Sequence, residues 1–486
     1  MSAAAPWRRL ILREVVQTAE QHDQYDLVVI GGGPGGYGAA LYGASAGLHV
    51  ALVERDALGG TCLNRGCIPA KAFLETASVF RHVAHAGEFG VVASSPAIEF
   101  AVTQERKRKI VAGLVSGVAG LCKARGVTVF SGTGMLGADR TVSVHMNDGG
   151  SAVLQGTNVI LASGSVPRLI PGFERGGPIL TSDEVLDLDY VPGRVAVIGG
   201  GAIGCEFAST FADLGAKVTI LEALPKVLPG LDSDVAAVVV RSFGKKKIDI
   251  RTGVMVQGHQ PTGAGSTVVR YGEADSVEVD AVVVSVGRRP FPDLLGLEGT
   301  AVKVSERGFV EVDQWCRTGE PGVYAIGDLI DTPQLAHVGY AEAILAVKDA
   351  LGEQPLPVAY DKVPWAIYCH PEVAWAGIGE DAAREAGLDV VVAKHQFRGN
   401  SRARIIGELD GLVKVVAKKN PDGSAGQVLG VHMVGPWVTE QLSGGYFAVN
   451  WEATVDEVAE LVQPHPSLSE LFGETMLSLT GRSLNA

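Results

Sequence analysis

Two cysteines, Cys62 and Cys67, lie five residues apart in the segment GGTCLNRGCIPAK, residues 59–71. In a regular helix that offset would point the two side chains about 140° apart, so a bond between them needs a distorted turn, which Gly66 could permit. Pro69 suits the first turn of a following helix, which would put Cys67 at or just before a helix N-terminus, where positive partial charge stabilises a thiolate. We interpret the pair as a redox-active dithiol; two buried structural thiols are the alternative.

The other cysteines do not extend this site. They stand alone at positions 122, 205, 316 and 369, and the sequence has no CxxC…CxxC spacing of the kind that binds zinc. We therefore predict no metal site. One close pair with four single cysteines fits one dedicated redox pair in a reducing compartment, so a cytoplasmic location is expected.

A glycine-rich unit precedes the cysteines. An apolar strand at residues 27–30 leads into Gly31, Gly33 and Gly36 at GxGxxG spacing; a helix of small residues follows, and then a second strand, residues 49–53, ends at Glu54. The three glycines suit a tight turn, close approach of a pyrophosphate and close packing of helix on strand, and the helix N-terminus offers open amides to phosphates.

Residues 194–222 repeat this unit with Gly199, Gly201, Gly204 and Glu222. In both copies the acid lies 23 residues after the first glycine, so the two segments form an internal repeat of one βαβ unit. One GxGxxG pattern alone would be weak, because glycine-rich turns also occur for structural reasons. Two copies with matched strands and acids predict two dinucleotide-binding sites.

The two acids also indicate which dinucleotides bind. A glutamate at the end of the second strand accepts hydrogen bonds from adenosine ribose hydroxyls. A 2′-phosphate there would meet like charge, at a cost of about 4 kcal/mol at 4 Å and an effective dielectric constant of 20, which is roughly a thousandfold in affinity. Glu222 is followed by Lys226 as the nearest base and by no arginine cluster, so NAD is favoured over NADP.

Charge and apolar patterning exclude other classes of protein. The 486 residues include 41 basic and 54 acidic ones, a net charge of −13, which argues against a nucleic-acid binder. Residues 27–53 carry no charge and are long enough to suggest a membrane helix, but the glycines at 31–36 would break it, so strand–turn–helix–strand is predicted and no membrane span. Residues 1–24 are expected to be a flexible extension.

Eight motifs occur in an order typical of one family: GGGPGGYGAA, GGTCLNRGCIPAK, LASGS, GGGAIGCE, VSVGRRP, VYAIGDL, LAHVGYAE and HPSLSE. From about residue 25 to 480 the chain resembles the pyridine nucleotide–disulfide oxidoreductases. The resemblance implies an α/β fold with two Rossmann-like nucleotide-binding domains, the second inserted into the first, and an α+β C-terminal dimerisation domain. The implied ranges are 25–167 (FAD-binding, first part), 168–286 (NAD-binding), 287–357 (FAD-binding, second part) and 358–486 (dimerisation).

The resemblance also assigns cofactor-binding residues. The first glycine unit would bind FAD and the second NAD. Asp328 would hydrogen-bond the ribityl chain, His337 would lie near the pyrimidine end of the flavin, and Lys71 would sit beside the flavin ring and pair with Glu206. The resemblance places three further residues at the cofactors: Ser163, Gly164 and Gly287.

The resemblance further implies a mechanism. His465 would be the acid/base and Glu470 its orienting carboxylate, both acting across a homodimer interface on the partner's cysteines. The implied reaction oxidises protein-bound dihydrolipoamide through Cys62 and Cys67 and FAD and reduces NAD⁺; the implied partners are the dihydrolipoyl domains of a 2-oxo acid dehydrogenase complex or a similar lipoylated protein. Two alternatives stay open: an NADPH-dependent reductase of a small disulfide of the glutathione or mycothione type, and a flavoprotein kept as a scaffold.

Arg65 and the segments near the C-terminus carry further predictions. Arg65, between the two cysteines, stands where an apolar residue is usual in the family and could shift the redox potential or favour an acidic substrate. Toward the C-terminus, residues 429–435 read as an apolar strand, and residues 455–461 are expected to form an amphipathic helix that leads to His465.

Overall fold

The computed structural model describes residues 23–263 and 265–484. The predicted N-terminal extension, 1–24, lies outside the described residues except for Asp23 and Gln24, which open the first strand. Helices and strands alternate along the chain, so the predicted α/β class is confirmed. The described residues form two compact units built from interleaved segments. The first unit consists of the described residues up to Asn64, with Ala112–Val166 and Arg289–Val358, and the second of those in Arg65–Val111, Pro167–Arg288 and from Ala359 onward.

The strands of the described residues are numbered in chain order. They are β1 (Asp23–Ile30), β2 (Val50–Glu54), β3 (Thr128–Leu136), β4 (Thr141–Met146), β5 (Ser151–Leu161), β6 (Ser165–Pro167), β7 (Ile179–Thr181), β8 (Arg194–Ile198), β9 (Lys217–Glu222), β10 (Asp249–Thr252), β11 (Val256–Pro261), β12 (Thr267–Tyr271), β13 (Asp275–Val279), β14 (Ala281–Val284), β15 (Arg288–Pro290), β16 (Val323–Ala325), β17 (Trp365–Ile367), β18 (Glu372–Gly377), β19 (Val390–Gln396), β20 (Leu412–Lys419) and β21 (Ala425–Gly435).

The α-helices of the same residues are numbered likewise. They are α1 (Pro34–Ser45), α2 (Gly60–Arg65), α3 (Cys67–Ala84), α4 (Phe100–Ala124), α5 (Ala202–Asp213), α6 (Ser233–Lys245), α7 (Ala336–Ala350), α8 (Glu380–Glu385), α9 (Ser401–Ile406), α10 (Val438–Gln441), α11 (Ser443–Asn450), α12 (Val455–Ala459) and α13 (Glu470–Leu479).

The first unit is organised around a sheet that contains the first glycine unit. β1 lies between β2 and β5 and is parallel to both, and β16 joins the other side of β5, also in parallel. The apolar run predicted at residues 27–30 is buried, as expected for a strand covered on both faces. Residues 27–53 fold as β1, a turn, α1 and β2 and not as one long apolar helix. The predicted strand–turn–helix–strand arrangement is therefore confirmed. The described residues include no helix long and apolar enough to cross a membrane.

The second unit holds the second glycine unit and the C-terminal sheet. β10, β9, β8, β14 and β7 form a parallel sheet in that order, and β8 and β9 flank the second glycine turn. The antiparallel C-terminal sheet runs β17, β18, β21, β20, β19, and its central β21 contains the predicted strand 429–435.

The helix predicted at residues 455–461 is shorter in the structure. Thr454 and Glu457 form a reciprocal capping box that starts α12, and Val455 and Val458 are its buried residues. The helix ends at Ala459, and residues 461 and 462 are exposed. The apolar pattern of the sequence therefore continued past Val458, the last buried residue of the helix.

A buried lysine stabilises the second unit. Lys414 of β20 is 1% exposed, and its Nζ lies 2.9 Å from Asp232 Oδ2, 2.7 Å from Asp234 Oδ2 and 2.8 Å from Glu380 Oε2. Burial alone would lower the pKa of Lys414, but hydrogen bonds to the three carboxylates outweigh it and hold the pKa well above its usual value. The cluster therefore ties the start of α6 to the C-terminal sheet.

We expect Lys414→Met to lower the free energy of unfolding by about 3–5 kcal/mol, because the fully buried Asp232 loses the cation that pairs with it. Asp234 and Glu380 each keep a second cationic partner. Thermal denaturation of the purified protein measures the loss. Lys394→Met is the matched control, since Lys394 pairs with Asp234 at the surface and contributes at most about 1 kcal/mol. Equal losses in the two variants would contradict this account.

Candidate functional site

The three glycines of the first glycine turn have different surroundings. Gly31 has φ +107°, and a Cβ on it would come within 2.2 Å of the Ala162 carbonyl oxygen; a Cβ on Gly36 would come within 1.7 Å of the Gly31 carbonyl oxygen. A Cβ on Gly33 would meet no atom nearer than 3.9 Å. The first and third glycines therefore allow close backbone packing, and the second borders open space at the start of α1.

The second glycine turn repeats this arrangement. A Cβ on Gly199 would lie 2.5 Å from the Ser285 carbonyl oxygen, and one on Gly204 would lie 1.9 Å from the Gly199 carbonyl oxygen, whereas Gly201 has no atom within 4 Å. Gly33 and Gly201 are the N-caps of α1 and α5, and neither helix start has a side-chain cap. Open amides beside open space fit the pyrophosphate of a dinucleotide at each turn.

The two strand-end glutamates hold these turns in shape. Glu54 accepts the Gly32 amide at Oε2 (2.6 Å) and the Asp56 amide at Oε1 (2.7 Å). Glu222 accepts the Gly200 amide at Oε2 (2.5 Å) and the Leu224 amide at Oε1 (2.8 Å). This bracing was not part of the sequence-based prediction. Each carboxylate oxygen keeps a second lone pair, so hydrogen bonds from ribose hydroxyls remain compatible with the structure.

Asp328 lies in a braced turn after β16. Its Oδ2 accepts the Ser165 hydroxyl at 2.5 Å, and the amide of the preceding Gly327 donates to Glu342 Oε2 at 2.6 Å. Glu342 is fully buried in α7. It belongs to the LAHVGYAE motif, but no role was predicted for it from the sequence. His337, the second residue of α7, is exposed. Glu342 therefore fixes the loop that presents Asp328.

Three other predicted cofactor residues have backbone partners in the structure. The Ser163 hydroxyl donates to the Phe291 carbonyl at 2.7 Å, and the Gly164 carbonyl accepts the Phe291 amide at 2.9 Å. Gly287 has φ +99°, and its carbonyl accepts the Arg168 amide at 3.0 Å. These contacts are a structural reason for the residues at positions 163, 164 and 287. Contact of these residues with a cofactor stays a prediction.

The helical conformation is interrupted at Gly66, between the two cysteines, as predicted from the sequence. α2 ends at Arg65, Gly66 has φ −141° and ψ −110°, and α3 begins at Cys67 with Pro69 in its first turn. Cys67 therefore stands at a helix N-terminus, where partial positive charge stabilises a thiolate. Cys62 and Cys67 are both partly exposed, and formation of a bond between them stays a prediction.

Lys71, four residues after Cys67, has a buried carboxylate as its partner. Its Nζ lies 2.9 and 2.8 Å from the two carboxylate oxygens of Glu206, as the resemblance implied. Burial acts to lower the pKa of Lys71, but the charge of Glu206 and its hydrogen bonds outweigh this and raise it, with a smaller contribution from Cys67. Lys71 is therefore held as a cation one helical turn beyond Cys67.

Tyr368 also contacts Lys71, and it was not among the residues predicted from the sequence. The Lys71 ammonium lies 4.7 Å from the centre of the Tyr368 ring, a cation–π contact. The Tyr368 amide donates to Glu206 Oε1 at 2.9 Å. Glu206 and Tyr368 thus fix the lysine together. Nothing in the local sequence signals Tyr368, because it lies 162 residues after Glu206.

His465 and Glu470 form the predicted dyad. His465 Nδ1 lies 2.7 Å from Glu470 Oε1, and the other carboxylate oxygen accepts the Ser467 amide at 2.7 Å. The His465 side chain is 71% exposed in this chain. The arrangement suits general acid–base chemistry with a carboxylate that orients the imidazole.

Arg65, one of the departures from the family pattern, acts electrostatically on Asp183. Burial raises the pKa of Asp183, while Arg288 and Arg65 act to lower it. Arg288 Nη1 lies 3.7 Å from Asp183 Oδ1. The positive charge of Arg65 therefore favours the ionised form of the Asp183 carboxyl, an interaction that the spacing of the sequence did not reveal.

Comparison with known proteins defines the class to which these sites belong. Residues 25–343 match the pyridine nucleotide-disulphide oxidoreductase family and residues 363–476 match its dimerisation domain, so the chain belongs to this family. It is an FAD-dependent, NAD-linked oxidoreductase, and the two glycine turns fit these two dinucleotides. The dimerisation domain is consistent with a homodimer.

Individual members of this family that are similar to the chain include dihydrolipoyl dehydrogenases and flavoprotein disulfide reductases. The chain is 39% identical over 475 residues to a dihydrolipoyl dehydrogenase of Bacillus subtilis. The matched region covers 95% of this chain and 99% of the relative. It is 39% identical over 469 residues to a dihydrolipoyl dehydrogenase of Haloferax volcanii, with 95% and 97% coverage. Among solved structures it is similar to LpdA of Mycobacterium tuberculosis (TM-score 0.88, 27% identity, 94% and 99% coverage) and to the HOCl-induced flavoprotein disulfide reductase RclA of Escherichia coli (TM-score 0.84, 26% identity, 93% and 99% coverage).

Proposed function

We propose that this chain oxidises protein-bound dihydrolipoamide to lipoamide through a Cys62–Cys67 disulfide and FAD, and reduces NAD⁺ to NADH. The observation that carries the proposal is the helix start at Cys67, followed one turn later by the Lys71–Glu206 pair. A thiolate at that position has the N-terminal partial charge of α3 and the Lys71 ammonium to stabilise it. The dihydrolipoyl dehydrogenases among the relatives supply the substrate class.

The proposed reaction begins with a proton transfer. His465 Nε2 accepts the proton of one dihydrolipoyl thiol while Glu470 stabilises the imidazolium through Nδ1. The resulting thiolate attacks Cys62, the Cys62–Cys67 bond breaks, and Cys67 leaves as a thiolate. The second dihydrolipoyl thiol then gives its proton to the departing Cys62 sulfur and closes the lipoamide disulfide. The substrate has lost two electrons to the cysteine pair and two protons, one to His465 and one to Cys62. Through the family resemblance we place His465 of one subunit at the cysteines of the other.

The cofactor-binding part of the proposal assigns each dinucleotide to one set of residues. Residues 25–167 and 287–357 would hold FAD, with Glu54, Asp328 and His337 at the ligand, and residues 168–286 would hold NAD beside Glu222. When bound, FAD would accept the electron pair from Cys67 and hand it to NAD⁺ as a hydride. Residues 358–486 would form the homodimer interface.

The proposed partners are dihydrolipoyl domains of a 2-oxo acid dehydrogenase complex or a similar lipoylated protein. The dihydrolipoyl group of such a partner would supply the dithiol that His465 deprotonates. We also propose a cytoplasmic location, because one close cysteine pair with four single cysteines suits a reducing compartment.

A direct test measures the purified yellow protein with dihydrolipoamide and NAD⁺, and in reverse with lipoamide and either NADH or NADPH. We expect dihydrolipoamide-dependent NAD⁺ reduction. We expect kcat/KM to favour NADH by roughly a thousandfold, because the Glu222 carboxylate, fixed by two amides, repels a 2′-phosphate.

Glutathione disulfide and mycothiol disulfide serve as the competing substrates in the same assay. Faster turnover of either one with NADPH would replace the proposal by the reductase alternative. Bound FAD without turnover of any disulfide or dithiol would instead support a scaffold role.

A further inference from the structure

A buried asparagine connects a short helix to the loop that carries His465. Asn400 is 7% exposed, and its side-chain oxygen accepts the Ala403 amide at 2.9 Å, which caps α9. Its side-chain nitrogen donates to the Ser467 carbonyl at 2.9 Å, across 67 positions of sequence. Both ends of the amide are thus engaged.

The hydrogen bonds continue from Ser467 to the imidazole. The Ser467 amide donates to Glu470 Oε2 at 2.7 Å, and Glu470 Oε1 lies 2.7 Å from His465 Nδ1. Ser467 is therefore held on both sides, at its carbonyl by Asn400 and at its amide by Glu470. Three hydrogen bonds link Asn400 to the ring of His465.

We propose that Asn400 is a positioning residue for the dithiol reaction: through Ser467 it holds Glu470, and hence the His465 ring, in the orientation that acid–base transfer needs. This inference rests on the proposed role of His465. It assigns Asn400 no contact with substrate or cofactor.

Helix capping and loop positioning require different atoms of Asn400, which makes them separable. The cap needs only an acceptor, and aspartate or serine at an N-cap provides one about as well as asparagine does. The bond to Ser467 needs a donor that reaches a carbonyl. An aspartate in place of Asn400 keeps the cap but presents a negative oxygen to that carbonyl, and a serine is too short to reach it.

The test uses Asn400→Asp and Asn400→Ser in the full-length, FAD-loaded dimer. We expect kcat with dihydrolipoamide and NAD⁺ to fall about tenfold in both variants, because a displaced base loses its alignment with the thiol. KM should change less than about twofold, and NADH oxidation by ferricyanide, which needs no dithiol chemistry, should stay unchanged. The control is Ser401→Ala at the exposed neighbouring position. Wild-type kcat in the aspartate and serine variants would overturn the inference.

A second readout separates this inference from the proposed function. The rate at which diethyl pyrocarbonate modifies His465, followed by mass spectrometry of its peptide, should rise about threefold in both variants as the imidazole is released from Glu470. Failure of the wild-type enzyme to use dihydrolipoamide would refute the proposed function alone. An unchanged modification rate in the two variants would refute the positioning role, whatever the substrate.

Discussion

Replacing Cys67 by serine is expected to lower turnover with dihydrolipoamide and NAD⁺ by about 10³-fold or more. A hydroxyl cannot form the disulfide with Cys62 and does not ionise near neutral pH, so the helix N-terminus and Lys71 have no thiolate to stabilise. FAD should remain bound, because the first glycine turn and Glu54 do not involve Cys67. Steady-state kinetics and the flavin absorption of the purified variant measure both expectations.

The control for this variant is Cys122→Ala, a change at a fully buried cysteine of α4. It should leave the dithiol reaction intact, apart from a modest loss of thermal stability. NADH oxidation by ferricyanide should survive in both variants. Retention of more than a tenth of wild-type dihydrolipoamide turnover in Cys67→Ser would remove the cysteine pair from the proposed mechanism.

Replacing His465 by glutamine should lower kcat/KM for dihydrolipoamide by about 10²–10³-fold, the usual contribution of a general base. Glutamine can keep a hydrogen bond to Glu470 but cannot accept a proton near neutral pH. As the pH rises, more of the substrate is already a thiolate, so the deficit of the variant should shrink. A pH series of kcat/KM for wild type and variant tests both the size of the loss and its direction.

The matched change is His145→Gln on an exposed position of β4, which should have no effect on the dithiol reaction. NADH oxidation by ferricyanide should be preserved in His465→Gln as well. A deficit that stays constant from pH 7 to pH 9 would show that His465 acts through structure and not as a base.

The parts of the site that depend on near neighbours in sequence were predictable. The GxGxxG spacing fixed which glycines pack against backbone and which border open space, since turn, helix and strand are contiguous there. Pro69 and Gly66 together predicted the break before Cys67. The His465–Glu470 contact spans five residues, and the resemblance gave it directly. The end of α12 was predicted two residues too late, because Leu461 and Val462 continue the apolar period of the sequence but are exposed in the structure.

The contacts between distant segments were not predictable from spacing. Lys71 and Glu206 are 135 positions apart, and only the resemblance paired them. Tyr368 and Asn400 carry no local signal of their partners; at most, an asparagine before SRARII predicts a helix cap. The three carboxylates around Lys414 come from α6 and α8 and their flanking residues, so tertiary packing alone unites them.

The glutamates at the ends of β2 and β9 have a thermodynamic consequence for cofactor loading. Each accepts one amide of its glycine loop, from Gly32 or Gly200, and one amide just after its own strand, so these hydrogen bonds hold the loop through protein atoms alone. The conformational entropy of ordering that loop is thus lost during folding and not during association, which leaves more of the intrinsic binding energy as affinity. Cofactor-depleted protein should therefore retain both loops in their closed shape and rebind each dinucleotide without a slow refolding phase.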